Sequence, residues 1–213
     1  MQAYDSDVKA QGLIDGVVVT ADQQRSRSRD DDVPRALAAL STLEGFAPGW
    51  ERTVGDEIQA VTTEPRAAVR AVEQLVRLGG WQVGLGVGGI EVPLPASTRE
   101  GRGQAFVDAR DAVERAKSAP VPAAATGVGA EDIEAALWLY CAVLGRRTDE
   151  GWQAATLLAD GLTQSQIADR LGVSASAVSQ RVGRAAVEVT DAGAALLARL
   201  LDRALTENVR ADP

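Results

Sequence analysis

Histidine is missing from this 213-residue sequence altogether, cysteine occurs once (Cys141), and lysine occurs only at Lys9 and Lys117 against twenty arginines. Without histidine there is no Ser-His-Asp or Cys-His nucleophilic site, no imidazole general base and no His-ligated zinc or haem. One cysteine excludes an intrachain disulfide, a cysteine zinc site and a CxxC redox pair. A bound metal is left with carboxylates, which suit hard cations such as magnesium, manganese or calcium. Aromatic residues make up 4% of the chain, and Trp50, Trp81, Trp138 and Trp152 fall on apolar faces, where core packing is the default. Cys141, beside Tyr140 and Leu144, reads as a small buried hydrophobe.

Long apolar runs are also missing. Met1 to Asp15 carries three aspartates and no apolar stretch, and nowhere do 18 apolar residues follow one another, so no secretion signal and no membrane span is expected. With no disulfide, the expected location is the cytoplasm, and the Ala- and Arg-rich composition suits a GC-rich bacterial genome. The net charge of −8 argues against a surface coated throughout by nucleic acid, though not against a small local reader.

Hydrophobic residues at 46% are ample for a buried core, and the length suits one large domain or two small ones. The stretch SAPVPAAATGVG (118–129), with two prolines and two glycines, reads as a linker. The expected organisation is a first domain over 1–117, a linker over 118–130 and a helical domain over 131–213. Each half carries four more acids than bases, so the boundary rests on pattern and not on charge.

The first half alternates. Gly16 to Ala21 is a β-branched run bounded by Gly and Asp, a buried strand. Val33 to Phe46 reads as a helix with Pro34 in its first turn. Trp50 to Val54 and Ile58 to Thr62 read as strands joined by a tight turn at Gly55-Asp56-Glu57. Pro65 to Leu78 is a helix, Trp81 to Val87 a strand with Ile90 to Leu94 as its hairpin partner, and Gln104 to Lys117 a closing helix. The order is that of a ferredoxin-like sheet with helices on one face. The second half shows no alternation: Glu131 to Gly145, Glu150 to Ala159 and the leucine-rich Val187 to Leu205 are helical. The fold class is therefore α+β, a ferredoxin-like domain followed by an all-α domain.

Between those helices lies GLTQSQIADRLGVSASAVSQRVGRAA (161–186). Thr163 caps a short helix over Gln164 to Leu171, with Ile167 and Leu171 inward and the small Ala168 where two helices meet. Gly172 allows a turn with positive φ. Ser174 or Ser176 caps a second helix whose Val178 and Val182 point back to the core. A small residue, a glycine four on and an apolar residue six further describe a helix-turn-helix, whose second helix enters the major groove. The outward positions are Ser174, Ser176, Ala177, Ser179, Gln180, Arg181 and Arg184. Gln pairs with adenine, Arg with guanine, and serines with helix amides suit phosphate. From Ser174 to Val187 there are two arginines and no acid. The plainer alternative is a helical hairpin with a polar face. The expected partner is double-stranded DNA, bound as a homodimer on a two-fold site. Leu196, Leu197, Leu200 and Leu201 suit either a dimer interface or packing against Glu131 to Gly145.

Asp22 follows the first strand, and Asp56 with Glu57 caps the hairpin that lies beside it. Two carboxylates so placed are able to hold a divalent ion with a triphosphate, but turn aspartates chosen for geometry look the same. The segments VVVTADQQRSR, VGDEIQAV, WQVGLGVGGIEVPL, GQAFVDARDAVERAK and SASAVSQRV together resemble the SatD family of bacterial proteins. At longer range the first half is similar to the palm domain of class III nucleotide cyclases and GGDEF synthases. That resemblance implies Asp22 and Asp56 as metal ligands, magnesium or manganese with a nucleotide as the cofactor set, and Glu57 and Arg110 beside the ligand. It is incomplete: the helix after the fourth strand carries Asp108 and Arg110 where cyclases carry Asn and Arg, and the only asparagine is Asn208. No catalytic residue is therefore assigned. The expected function is a DNA-binding regulator whose cyclase-like domain senses a ligand or assembles the protein. A metal-dependent nucleotidyl enzyme with a DNA-targeting domain and an interaction scaffold are the alternatives.

Overall fold

The computed structural model describes residues 12–211; residues 1–11 of the N-terminal stretch, Lys9 among them, and residues 212–213 lie outside the described part. The elements in chain order are β1 (Gly12–Gln23), α1 (Val33–Leu40), β2 (Glu51–Arg52), β3 (Glu57–Thr62), α2 (Pro65–Leu78), β4 (Trp81–Val92), α3 (Gln104–Ala116), β5 (Ala123–Gly127), α4 (Ala130–Leu144), α5 (Asp149–Ala159), α6 (Gln164–Leu171), α7 (Ala175–Arg184) and α8 (Val187–Ala211). The five strands lie in the order β2-β3-β1-β4-β5. The first four are antiparallel neighbours, which is the ferredoxin-like order, and β5 adds to the edge parallel to β4.

The middle of β1, Gly16 to Ala21, is buried without interruption because both of its faces are covered. Val17, Val19 and Ala21 join the main core with Leu40, Leu75 and Leu85, while Val18 faces Ala105 and Ala109 of α3. Helices therefore lie on both faces, and the expected one-sided arrangement is corrected: α3 is the crossover between the parallel strands β4 and β5, and occupies the face opposite α1 and α2. The glycines of β4 explain its fit. A Cβ on Gly86 would lie 2.0 Å from the Ala105 carbonyl oxygen, and one on Gly84 would lie 2.4 Å from the Val113 nitrogen. Glycine here lets a helix backbone settle directly on a strand.

Three further expectations change. Trp81 to Val87 and Ile90 to Leu94 are not a hairpin but one twelve-residue strand paired with β1 along its whole length. α1 stops at Leu40, where the Ser41 and Thr42 hydroxyls donate back to the carbonyls of Ala38 and Ala39 (3.1 and 2.8 Å). The stretch expected as a linker, 118–130, contains β5. Its alanines carry little strand propensity, and side chains hold it instead. Glu134 accepts from the Ala125 amide (2.9 Å), Arg115 donates to the Ala125 carbonyl (2.9 Å), and Trp138 donates to the Ala123 carbonyl (2.7 Å). These bonds satisfy an otherwise bare sheet edge.

α4 and α8, expected with the helical half, lie on the sheet. Ile133, Leu137, Leu197 and Leu201 are buried in the same cluster as Val17 and Leu85. The leucines of α8 are thus used within the chain, against α4, α2 and the sheet, and Leu196 alone of the four stays exposed, at 43%. No helix among the described residues is long and apolar enough to cross a membrane.

Candidate nucleic-acid interface

α5, α6 and α7 form a small trihelical unit with its own core of Leu157, Ile167, Ala168 and Val178. Its turns are fixed by side chains. Thr163 and Gln166 make a reciprocal capping box at the start of α6. Gly172 ends α6 at φ 65°, where any Cβ would be strained. Ser174, rather than Ser176, caps α7: its hydroxyl accepts from the Ala177 amide at 3.2 Å, and the Ser176 hydroxyl lies 3.0 Å from it. Val178 is wholly buried and Val182 half-buried, so the inward face of α7 is as the spacing predicts.

The opposite face is open. Ser174, Ser176, Ser179, Gln180 and Arg184 are exposed, and Ala177 and Arg181 are half-buried. Arg181 lies near Glu150 of α5 and adds to a lowered Glu150 pKa, which comes first from the α5 amide and then from Thr148. Part of its charge is therefore answered within the protein, while Gln180 and Arg184 project freely. The first amides of α7 beside Ser174 add a partial positive charge.

A buried arginine ties this unit to the sheet. Arg147, whose side chain is 2% exposed, donates to the Ala185 carbonyl at 3.0 Å and to Thr190 at 2.7 Å, and stacks 4.4 Å from the Trp152 ring centroid. Its guanidinium lies 3.8 Å from Glu73 of α2, which also accepts from the Tyr140 hydroxyl at 3.1 Å. Burial pulls the Arg147 pKa below its ordinary value, with Glu73 opposing. Ala186, directly before α8, takes φ 50° and turns the chain into it. Sequence reasoning missed Arg147, because an arginine between two helices looks like surface until Trp152 and Ala185 close over it.

The structure sets Asp22 next to Asp56 and Glu57 along the β1–β3 pairing without converging their carboxylates, and leaves Arg110 apart. Asp22 pairs with Glu57 across β1 and β3, and the Gln23 amide donates to the Asp56 carbonyl. Glu57 accepts from the Thr53 hydroxyl. The Asp22 carboxylate faces Lys117, whose ammonium lies 3.2 Å away and also meets Glu114. Burial raises the Asp22 pKa, Lys117 opposes the rise, and Asp56 adds to it. A divalent ion at Asp22 would have to displace that ammonium, and among the described residues no three carboxylate or cysteine groups gather to hold one. This does not fit a two-metal centre. Arg110 of α3 sits about two turns before Lys117, the residue that ends the helix, roughly 10 Å along its axis.

Fold and site together define a five-stranded sheet covered on both faces, carrying a helix-turn-helix unit. Residues 147–185 match the family described as the homeodomain-like domain. One solved structure, a regulator of polyketide synthase expression from Bifidobacterium adolescentis, aligns over 96% of this chain and 84% of its own, at 17% identity and a TM-score of 0.28. That score does not define a common fold. No curated protein matches the sequence.

Proposed function

We propose that the chain is a sequence-specific DNA-binding transcriptional regulator, with α7 laid in the major groove. Gln180 and Arg184 read base edges, Arg181 makes a shorter-reaching contact, and Ala177 meets a thymine methyl. Ser174, Ser176, Ser179 and the α7 amides hold phosphates and set the register. The observation that carries this reading is the exposed, acid-free outer face of α7 on a capped trihelical unit that matches the homeodomain-like description. A homodimer on a two-fold site belongs to the same reading. The sheet then serves as a sensing module, as the likeness to cyclase palms suggests, and Arg147 with Glu73 and Tyr140 connects it to α5, α7 and α8.

The test is selection of tight binders from random duplex DNA, followed by anisotropy titration of the selected site. Gln180→Ala and Arg184→Ala should each weaken specific binding by about tenfold or more. Affinity should also fall steeply as salt rises. A double variant that still binds the selected site like the wild type overturns the reading.

A further inference from the structure

α3 lies over β4, β5 and β1 but leaves β3 beyond its edge, and a cleft of about 540 Å³ opens there between β3, α3 and the loop over 98–103. Arg99, Arg102 and Arg110 line it, and no acidic residue does. Among the described residues none of the three guanidiniums has a hydrogen bond or ion pair, whereas Arg52, Arg115, Arg147 and Arg203 are all paired with acids. Glu91 and Glu100 line a neighbouring depression that shares Arg99 and Arg102, and neither comes within ion-pair distance of them. In a chain of net charge −8, three unanswered cations around one concavity set up a local positive field that favours an anion.

Two independent features add to the charge. α3, thirteen residues long, begins just after Gly103 in the cleft wall, with no side chain capping its first amides. The remaining wall is apolar: Phe106 is half-buried, and Val54 and Val107 are 72% and 62% exposed there. At the wall formed by β3, Gln59 is 4% exposed and fixed by donation to the Thr20 hydroxyl at 2.8 Å. An inorganic ion would leave the apolar wall unused, and a DNA backbone has no need of a concavity.

We infer that this cleft binds a small organic phosphate, its phosphate on Arg99, Arg102 and Arg110 and its flat body against Phe106, Val54 and Val107. The inference rests on the reading of the sheet as a sensing module, and names the place and class of its ligand. Bidentate guanidinium–phosphate bonds supply the affinity, and the apolar wall selects against the bare ion.

Calorimetric titration of the full chain tests it, with phenyl phosphate and adenosine 5′-monophosphate as probes and inorganic phosphate and adenosine as their halves, at about 150 mM salt. Both organic phosphates should bind at least about tenfold more tightly than either half. Arg102→Ala with Arg110→Ala should weaken them by about thirtyfold or more, and Val107→Asp should remove binding. These side chains are exposed, so the variants should keep the wild-type melting midpoint. Absence of binding by either probe, equal affinity for inorganic phosphate, or undiminished affinity in the arginine variant overturns the proposal. So does an arginine variant that loses DNA affinity while keeping the probes, which would assign the cleft to nucleic acid. Probe binding that leaves DNA retention unchanged sinks the sensing role but not the site, so the two readings fail separately.

Discussion

Lys117 lies 3.2 Å from Asp22, and yet Asp22 holds its proton more tightly than a free carboxyl does, because burial outweighs the ion pair and Asp56 adds repulsion. A carboxyl with a raised native pKa costs stability above that pKa, and the cost vanishes below the ordinary value of 3.8, where folded and unfolded chains are both protonated. The native state therefore gains relative stability from this group as the pH falls from neutrality towards 4. Asp22→Asn should match or exceed the wild-type melting midpoint at pH 7, and the difference should close by about pH 3.5. A lower midpoint for the variant at pH 7 would show that the Lys117 pair dominates. Cys141 follows the same logic: burial pushes its thiol up to about 12, in keeping with the packing role read from its neighbours.

At the level of elements, the α3–β4 contact decides the shape of one face. Glycine inside a strand signals a bend or a close backbone approach, but nothing near Gly84 and Gly86 in the sequence says that a helix is the partner. A methyl on Gly86 meets the Ala105 carbonyl and the Ala109 amide at 2.0 and 2.3 Å, both backbone atoms that cannot turn aside. Gly86→Ala should cost about 3 kcal/mol, the upper range for overpacking, read as a lower denaturation midpoint in urea. Gly88→Ala serves as control, since its Cβ would find nothing nearer than 3.9 Å. The helix-turn-helix was more legible than any other element, because its signals are local: Thr163 and Ser174 cap, Gly172 turns, and Ile167 and Val178 face inward. β5 was the least legible, since nothing local favours a strand in AAATG and its bonds come from distant partners, β4 on one edge and Arg115, Glu134 and Trp138 on the other.

Across the whole molecule, the main core does not stop where the composition changes. Ile133 and Leu137 of α4, Trp152 of α5 and Leu197 and Leu201 of α8 share one cluster with the sheet. A chain ending at Lys117 would strip Ile133, Leu137, Leu197 and Leu201 from the cluster that holds Val17, Val19 and Leu85, leaving that face only partly covered by α1 and α2 and the β4 edge unpaired. Such a fragment should be insoluble or bind hydrophobic dyes strongly, while the full chain should not. A soluble fragment with a cooperative melt would show that the sheet folds without α4 and α8.

The sequence alone settled whatever depends on near neighbours: the α+β class, the first three strands with the turn between the second and third, and the capped helices with an acid-free α7. Its missing histidines and single cysteine had already narrowed any metal to carboxylates. Tertiary structure decided what depends on distant residues meeting. It placed α3 on the second face, made β5 from an expected linker and used the α8 leucines within the chain. It also set Lys117 against Asp22, and gathered Arg99, Arg102 and Arg110 around one cleft. Periodicity reports which side of an element is buried. It does not report what covers that side, or which charges are left without partners once it is covered.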